Sequence, residues 1–143
     1  MVGRLLASTT GANDMRTLLA RGKDQISEIL DYVHDRRYKI EDIAHDQAAR
    51  ILRIPVEVKV FEPRSILGLR YKGKGDGVAT LTIRNVRAWK IVEDRSQIGY
   101  GDINRILAKP GLVFIEGSLP VNIEIQVDEH ELELSAPDDI VMA

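Results

Sequence analysis

The chain has 143 residues, of which 44% are hydrophobic and 29% are charged. This length suits one domain, and a chain of about 150 residues buries roughly 70% of its unfolded surface. The absence of cysteine excludes disulfides, thiolate nucleophiles and cysteine-based zinc sites. Purely apolar runs are far shorter than the roughly 20 residues that a transmembrane helix requires, so we expect a cytoplasmic protein without a membrane partner.

The net charge of −2 is unevenly distributed along the chain. Residues 36–90 carry 13 Lys and Arg against 6 Asp and Glu, whereas residues 91–143 carry 3 against 11. Such a division fits a basic binding face with an acidic second half. It also fits strands from the two halves that pair and place opposite charges across the sheet, and we favour this second interpretation.

The N-terminal segment 1–13 is rich in small polar residues, and we expect it to be flexible. Asn13 or Asp14 is a candidate cap for a helix, because apolar residues then recur at the 3.6-residue spacing of an amphipathic helix up to Val33. Gly22 interrupts this pattern. It either ends a first short helix, with Asp24 capping the second, or allows the helix to lie close to the sheet.

The segment Arg50–Phe61 organises the chain. Its even-numbered residues from 52 to 60 are aliphatic and alternate with polar residues or proline, which predicts a strand with its even-numbered side chains buried. A shorter strand over Tyr38–His45 is predicted to form a hairpin with it. Because Pro55 has no N–H to donate, the strand is predicted to be an edge strand or bulged there.

The second half of the chain reads as further short strands joined by turns. A third strand is predicted over Ser65–Lys72, followed by a glycine-rich turn over Gly73–Gly77. The next strand, Val78–Val92, changes parity and therefore predicts a bulge near Arg84-Asn85. The remaining predictions are a helical turn capped by Asp102 within Ile98–Leu107, a doubly covered strand over Leu112–Ile115, a strand over Val121–Val127, a turn over Asp128–His130, and a short last strand holding Leu132 and Leu134.

The predicted class is α+β, with an N-terminal amphipathic helix followed by a mostly antiparallel, curled or sandwiched sheet of about seven or eight short strands. Residues 14–136 are predicted to form a single domain, and residues 137–143 a loose acidic tail. This order of one helix and short alternating strands resembles small bacterial β-rich domains, including some toxin-immunity proteins. The resemblance rests on strand patterning and implies no functional residue.

The sequence predicts no catalytic, metal-binding or cofactor-binding residue. The glycine string Lys72–Gly77 lacks the P-loop pattern and precedes a strand, so a hairpin turn explains it better than a phosphate site. His34-Asp35 and His45-Asp46 resemble the His-Asp pairs of metal-dependent phosphohydrolases, but they lie on different kinds of element. The run Glu129–Glu131 around the third histidine does not converge easily on one ion.

A basic and aromatic group of residues is the one candidate binding surface. Adjacent strands would bring its cations and rings together into a groove for phosphates and bases. Trp89 shares the parity of buried Leu81 and Ile83, however, so we expect it in the core. The residues assigned to this alternative are Arg70, Tyr71, Lys72, Lys74, Arg84, Arg87 and Lys90.

We therefore expect a small bacterial protein that works without catalysis, as a protein-interaction or immunity-like module with a protein partner or as a homo-oligomer. The contact surface is predicted at the edge around Pro55 or on the helix stripe. The alternatives are a single-stranded nucleic-acid-binding protein and a small hydrolase.

Overall fold

A computed structural model describes residues 15–92, 99–119 and 121–143. The predicted flexible segment 1–13 and the proposed caps at Asn13 and Asp14 lie outside these residues. The described elements are β1 (Met15–Ala20), α1 (Lys23–Val33), β2 (Arg37–Lys39), a 3-10 turn (Ile40–Asp42), β3 (Ala44–Asp46), β4 (Ile51–Ile66), β5 (Leu69–Val92), β6 (Tyr100–Asp102), β7 (Arg105–Lys109), β8 (Leu112–Glu116) and β9 (Asn122–Pro137).

The described strands form a mostly antiparallel sheet, as predicted, and the sheet is not closed. Its seven strands follow the order β3-β4-β5-β9-β8-β7, and β1 also pairs with β9. The long strand β9 changes partners along its length: β8 pairs with it from 123 to 126, and β1 pairs with it from 132 to 137. Strands β2 and β6 form a separate antiparallel pair.

The central prediction, the alternating strand at Arg50–Phe61, is confirmed, although Val60, the last of its five even-numbered aliphatic residues, is only half-buried. Leu52, Ile54, Val56 and Val58 on β4 are at most 2% exposed. They pack with buried residues of β5, β8 and β9 in one hydrophobic core. Pro55 lies beyond the residues that pair with β3, so its missing N–H interrupts no ladder, and the predicted edge position accounts for it.

The prediction of an N-terminal helix is wrong for the first part of the pattern. Met15–Ala20 is strand β1, paired with β9, and the helix follows it. Gly22, and not Asp24, is the N-cap of the helix. The side-chain oxygen of Gln25, in the first turn, accepts hydrogen bonds from the N–H groups of Arg21 and Gly22 at 2.8 and 3.2 Å. Apolar residues at 15, 18 and 19 satisfy helical spacing, but sheet pairing with β9 overrides this local pattern.

Helix α1 covers one face of the sheet. Its buried residues are Ile26, Ile29 and Val33, and the helix contacts strands β1, β4, β7 and β9. The stripe that we considered as a contact surface is therefore covered by the sheet. Within the described residues, no helix is long and apolar enough to cross a bilayer.

The predicted third strand and the glycine-rich turn are both wrong. The chain reverses at Leu67-Gly68, inside the segment predicted as a strand, and Gly73–Gly77 lies within β5. Leu67 and Gly68 have φ values of +52° and +82°, the combination that a type I′ hairpin turn requires. Pairing between β4 and β5 is continuous from Ile66 opposite Leu69 to Ile51 opposite Arg84.

The predictions for the second half are correct in part. Strand β8 and the first part of β9 form as predicted, but strands β6 and β7 occupy the segment where we expected a helical turn. The expected cover on both faces of β8 is incomplete, because Leu112 and Phe114 are half-buried. The register shifts between Arg84 and Val86, which confirms the predicted bulge. Strand β9 is continuous through 128–130, where we expected a turn, because residues on both sides pair with β5 across the bulge. Asp102 ends strand β6 instead of capping a helical turn.

The acidic residues after Pro137, which we expected to form a loose tail, lie along β4. Ile140 is 6% exposed and forms a β-bridge with Val60. The N–H of Phe61 donates to the Asp139 carbonyl at 2.8 Å, and the N–H of Val141 donates to the Lys59 carbonyl at 2.8 Å. The buried side chain of Ile140 and these backbone hydrogen bonds thus hold the segment against β4, although its acidic residues suggested a loose tail.

Opposite charges do face each other across the sheet, as we favoured. Arg84 on β5 contacts Glu131 at 3.5 Å and Glu133 at 2.7 Å on β9. Further along the same pair of strands, Lys90 contacts Glu124 at 3.3 Å. The basic middle and the acidic second half of the chain are therefore matched to each other over this part of the sheet.

Candidate functional site

The most distinctive surface is the end of the hairpin formed by β4 and β5. Beyond Thr80, which lies opposite Ser135, β5 has no described neighbour other than β4. We call the segment Phe61–Lys74 the arm. Every residue from 61 to 72 is exposed, so the arm projects from the sheet as a two-stranded ribbon.

The end of the arm is apolar. Ile66, Leu67 and Leu69, which we call the tip, are 58%, 98% and 74% exposed. Leu67 also has a positive φ, a conformation that is unfavourable for leucine and favours glycine or asparagine. A large aliphatic side chain that is both strained and almost fully exposed contributes nothing to packing within this chain, so the tip requires an explanation outside the fold.

The two faces of the arm differ in chemistry. Because Arg64 lies opposite Tyr71 and Ile66 opposite Leu69, these four side chains share one face. The other face carries Arg70, Lys72 and Lys74 at alternate positions of β5. We call these three residues the cation row, and none of them forms a salt bridge with a described residue. Phe61 lies on the same face, with the Lys72 Nζ 5.4 Å from its ring centroid.

The glycine string is explained by side chains that lie across it. A Cβ on Gly73 would overlap the Arg64 side chain, and one on Gly75 would overlap the Glu62 carboxylate. Arg64 extends far enough for its Nη2 to donate to the Lys74 carbonyl at 2.6 Å. These glycines therefore allow long charged side chains to lie flat on the ribbon, which stiffens an otherwise marginal two-stranded structure.

The structure places the residues of the nucleic-acid alternative in two separate groups. Arg70, Tyr71, Lys72 and Lys74 lie on the arm. The other three cations lie beyond the bulge or next to it, where each contacts a carboxylate of β9; for Arg87 this is Asp128, at 3.2 Å. From Lys72 to Arg84 the strand extends for about 40 Å at roughly 3.3 Å per residue. The predicted seven-residue surface is not assembled, although its first half is.

Trp89 is half-buried and packs against the core, in agreement with the expectation from its parity. It lies opposite Ile125 on β9. It is therefore separated from the arm and does not contribute a stacking surface to it.

A recess of about 610 Å³ lies at the base of the arm. Phe61 and Tyr71 line it together with Asp138, Asp139 and Ile140 of the C-terminal segment. Arg70 and Lys72 border the same recess, but neither comes within salt-bridge distance of these aspartates. The recess therefore combines aromatic walls with both signs of charge.

Two of the three histidines contact neighbouring polar groups, and none belongs to a described metal site. The His34 Nδ1 lies 3.3 Å from the Asp35 carboxylate, and the His130 Nε2 lies 3.1 Å from the Arg21 carbonyl. The His45 Nε2 is buried without a described partner. Across residues 15–92, 99–119 and 121–143, no three His, Asp or Glu residues are placed to hold a metal ion.

Asp102 and Tyr38 are buried polar residues outside the arm, and the Tyr38 hydroxyl has no described hydrogen-bond partner. The Asp102 carboxylate accepts hydrogen bonds from the Ser118 hydroxyl and from the Leu119 N–H, the latter at 3.1 Å. Burial, and secondarily the negative charge of Asp102, raises the pKa of the Tyr38 hydroxyl well above its ordinary value. Since a carboxylate that binds a loop in this way is a structural brace, we assign both residues to the fold.

The sequence predictions missed the arm. The signal was present, because Leu67-Gly68 lies between two alternating runs and glycine suits the second position of a type I′ turn. Leucine is unusual at the first position of such a turn, so this signal was weak. The three glycines at 73, 75 and 77 gave a stronger turn signal, and the turn was assigned there instead.

Comparisons with protein-family models, with curated proteins and with solved structures found no match.

Proposed function

We propose that this protein is a non-catalytic interaction module whose contact surface is the arm. The observation that carries the proposal is the exposed tip, three aliphatic side chains at the end of a projecting ribbon. Burying a single aliphatic side chain of this size contributes roughly 1.5–3 kcal/mol. A partner that encloses the tip would gain this contribution several times over, against the cost of association.

The site differs from the one expected from sequence, while the proposed role stays the same. Pro55 is half-buried, the C-terminal segment occupies the same edge of β4 at Lys59 and Phe61, and the helix stripe packs on the sheet. Beyond Phe61, whose N–H bonds to the C-terminal segment, the arm makes no backbone hydrogen bond to a described residue outside the hairpin, and its tip is exposed. An immunity-like role, in which the arm would occupy a cavity of another protein, is one form of this function.

The test is capture of a partner by the intact protein and by a variant with a polar tip. We expect the wild-type protein either to retain a defined partner from extracts of its own cells or to form a defined oligomer. Replacing the tip in the triple variant Ile66→Ser, Leu67→Ser, Leu69→Ser should abolish that complex. Met142→Ser is the matched control, because Met142 is also 58% exposed but lies outside the arm.

The proposal would be abandoned if the wild-type protein were strictly monomeric and captured nothing that the triple serine variant does not also capture. Circular dichroism of the serine variant separates a loss of contact from a loss of folding. Since the tip contacts little of its own chain, we expect the variant to remain folded.

Single-stranded nucleic-acid binding is the second candidate, and the cation row next to Phe61 favours it. It predicts binding to an oligonucleotide that weakens steeply as salt increases and that is lost on charge reversal at Lys72 and Lys74. The polar tip variant should leave such binding unchanged, because stacking and phosphate contacts do not use the aliphatic tip. This difference separates the two candidates.

A further inference from the structure

The backbone of β5 has an open edge along the arm. Ile66 and Leu69 flank a two-residue turn, so they form a hydrogen-bonded pair, and the bonds to β4 then recur at every second residue. The N–H and C=O groups of Arg70, Lys72, Lys74 and Asp76 consequently point away from β4. Thr80 is also even-numbered, so its backbone groups point away from β4 as well, and there they meet β9 opposite Ser135.

Hydrogen bonds in the structure agree with this parity. On β4 the outward groups are those of odd-numbered residues, and Phe61 and Lys59 bond outward to the C-terminal segment. On β5 the Lys74 carbonyl is outward and accepts from Arg64. No backbone bond to a described residue engages Arg70 or Lys72 on this side.

The opposite edge of the arm, on β4, is less suited to pairing. The C-terminal segment already occupies it at residues 59 and 61. Pro63 lies at the next outward position and has no N–H to donate. The arm therefore presents one edge for strand addition, from Arg70 to Asp76 on β5.

The charge on this edge selects what can pair with it. The residues with outward backbone groups include the whole cation row, with side chains about 7 Å apart, two residues along a strand. A strand that adds here and has carboxylates at alternate positions would place one opposite each cation. Asp76 would not oppose such a strand strongly, because Lys59 forms a salt bridge with it.

A second copy of this chain does not supply a suitable strand among its described edges. The outer strands β1 and β7 carry Arg16, Arg105 and Lys109. The third outer strand, β3, is three residues long and has one carboxylate, Asp46, so it cannot place carboxylates at alternate positions. Pairing of the arm edges of two copies would bring two cation rows side by side, where they would repel each other. Charge complementarity thus points away from self-pairing and towards a different, acidic chain.

We propose that the edge of β5 from Arg70 to Asp76 binds an extended acidic segment of a partner protein as an added strand, with carboxylates at alternate positions facing the cation row. This proposal rests on the proposed function and specifies its partner. Main-chain hydrogen bonds would supply affinity, and the cation row would supply specificity. The tip would anchor the partner's globular part beyond the segment.

The test uses the intact protein and a fluorescent peptide as long as the edge, with glutamate at every second position and threonine or valine between. We expect saturable binding, measured by fluorescence anisotropy, that weakens at least about tenfold in the Lys72→Glu, Lys74→Glu variant. The double variant Lys23→Glu, Lys109→Glu controls for net charge, since both lysines are exposed and lie outside the arm, and it should leave binding unchanged.

Two modified peptides separate strand addition from simple charge attraction. A peptide with the same composition but its glutamates clustered at one end should bind more weakly. A peptide N-methylated at the amides that face the edge should not bind. The proposal would be overturned if either modified peptide bound the protein as tightly as the unmodified peptide. It would also be overturned if a thymidine oligonucleotide or phosphatidylserine vesicles bound through the same cations more tightly than the unmodified peptide.

Arg64 gives a second variant that acts in the opposite direction, provided that the part of its side chain that lies over Gly73 and stiffens the arm is kept. Methionine keeps an unbranched chain of similar length there and removes the N–H donors. The bond from Arg64 to the Lys74 carbonyl occupies one acceptor of the edge, so Arg64→Met should free that acceptor and strengthen peptide binding. Weaker binding in this variant would contradict strand addition at this edge.

The outcomes also separate this inference from the proposed function. If the polar tip variant loses its complex while the charge-reversal variant keeps it, the arm is a contact surface and the acidic-strand inference fails. If neither variant affects a captured complex, the proposed function of the arm fails as well.

Discussion

The two ends of the β4–β5 hairpin have the same backbone pairing and different environments. We call the part of the hairpin that lies within the seven-stranded sheet the body end. There, Ile54 and Leu81 lie opposite each other and are 0% exposed. On the same face near the turn, Ile66 and Leu69 also lie opposite each other and are 58% and 74% exposed. Alternation of apolar residues thus specifies a strand in both places, but burial depends on what other elements cover the face.

The comparison also shows where the stability and the function of the hairpin reside. The body end is covered by α1, the C-terminal segment and the neighbouring strands. The arm receives support from Arg64 and Glu62 lying across its own glycines. Substitutions in the body should therefore change the free energy of unfolding, whereas substitutions in the arm should change binding.

The largest expected effect comes from truncating matched leucines on the two ends of β5. We expect Leu81→Ala to lower the free energy of unfolding by about 2–5 kcal/mol, because it leaves a cavity in the core. Leu69→Ala, on the same face of the same strand, should change it by less than about 0.5 kcal/mol. Urea denaturation measures both values, and similar losses in the two variants would show that the arm is packed.

Adding a methyl group to glycine should show the same contrast at a smaller scale. A Cβ on Gly101 would lie 2.7 Å from the Tyr38 Cζ in the core, so Gly101→Ala should cost about 1–3 kcal/mol. On the arm, a Cβ on Gly73 meets the flexible end of Arg64, which can move into solvent. Gly73→Ala should therefore cost less, and a larger loss than in Gly101→Ala would contradict the exposed position of the arm.

Relief of strain at the tip should raise stability and lower binding. Asparagine tolerates the positive φ of Leu67, and Asn-Gly is a favoured type I′ pair. Leu67→Asn should stabilise the arm by up to about 1 kcal/mol, measured as slower hydrogen exchange of its amides, while partner capture weakens. Leu69→Asn is the control: it removes a similar apolar side chain without relieving strain, so protection of the arm should not increase.

The smallest expected effect concerns the border between the body and the arm. The hydrogen bond from Lys59, together with its positive charge, lowers the pKa of the Asp76 carboxyl below its ordinary value. Because the pKa is lower in the folded state, this contribution is present above the unfolded pKa of about 3.9 and is lost as pH falls through the folded pKa. The wild type should therefore be slightly more stable than Asp76→Asn from pH 5 to 8, and this difference in the free energy of unfolding should vanish in acid. A difference that grows as the pH falls would contradict the lowered pKa of Asp76.

Local patterns in the sequence were sufficient where each residue's environment is set by its own strand. The alternation in β4 and the parity change at Arg84-Asn85 each predicted what the structure shows. Met15–Ala20 was misassigned because its spacing fits a helix, whereas its pairing with β9 depends on residues more than 100 positions away.

The candidate site was less predictable than the fold. Leu67, Leu69 and Tyr71 alternate in the sequence like one face of a buried strand, and nothing local indicates that no layer covers them. The glycines at 73 and 75 depend on Arg64 and Glu62 across the ribbon, so their role becomes apparent once the register is known. Arg70, Lys72 and Lys74 were named among seven residues that adjacent strands were expected to bring together. The other three cations of that set lie far along β5, because Lys74 belongs to the same strand and not to a turn.

Amide hydrogen exchange of the free protein, resolved residue by residue along β5, tests the account most directly. The amides of Tyr71, Gly73 and Gly75 face β4 and should be protected, whereas those of Arg70, Lys72 and Lys74 should exchange rapidly. Thr80 and Thr82, which face β9, should be protected again. Uniform protection from 70 to 75 would show that the edge is already covered, and its uniform absence would show that the projecting ribbon does not form; either result would contradict the account.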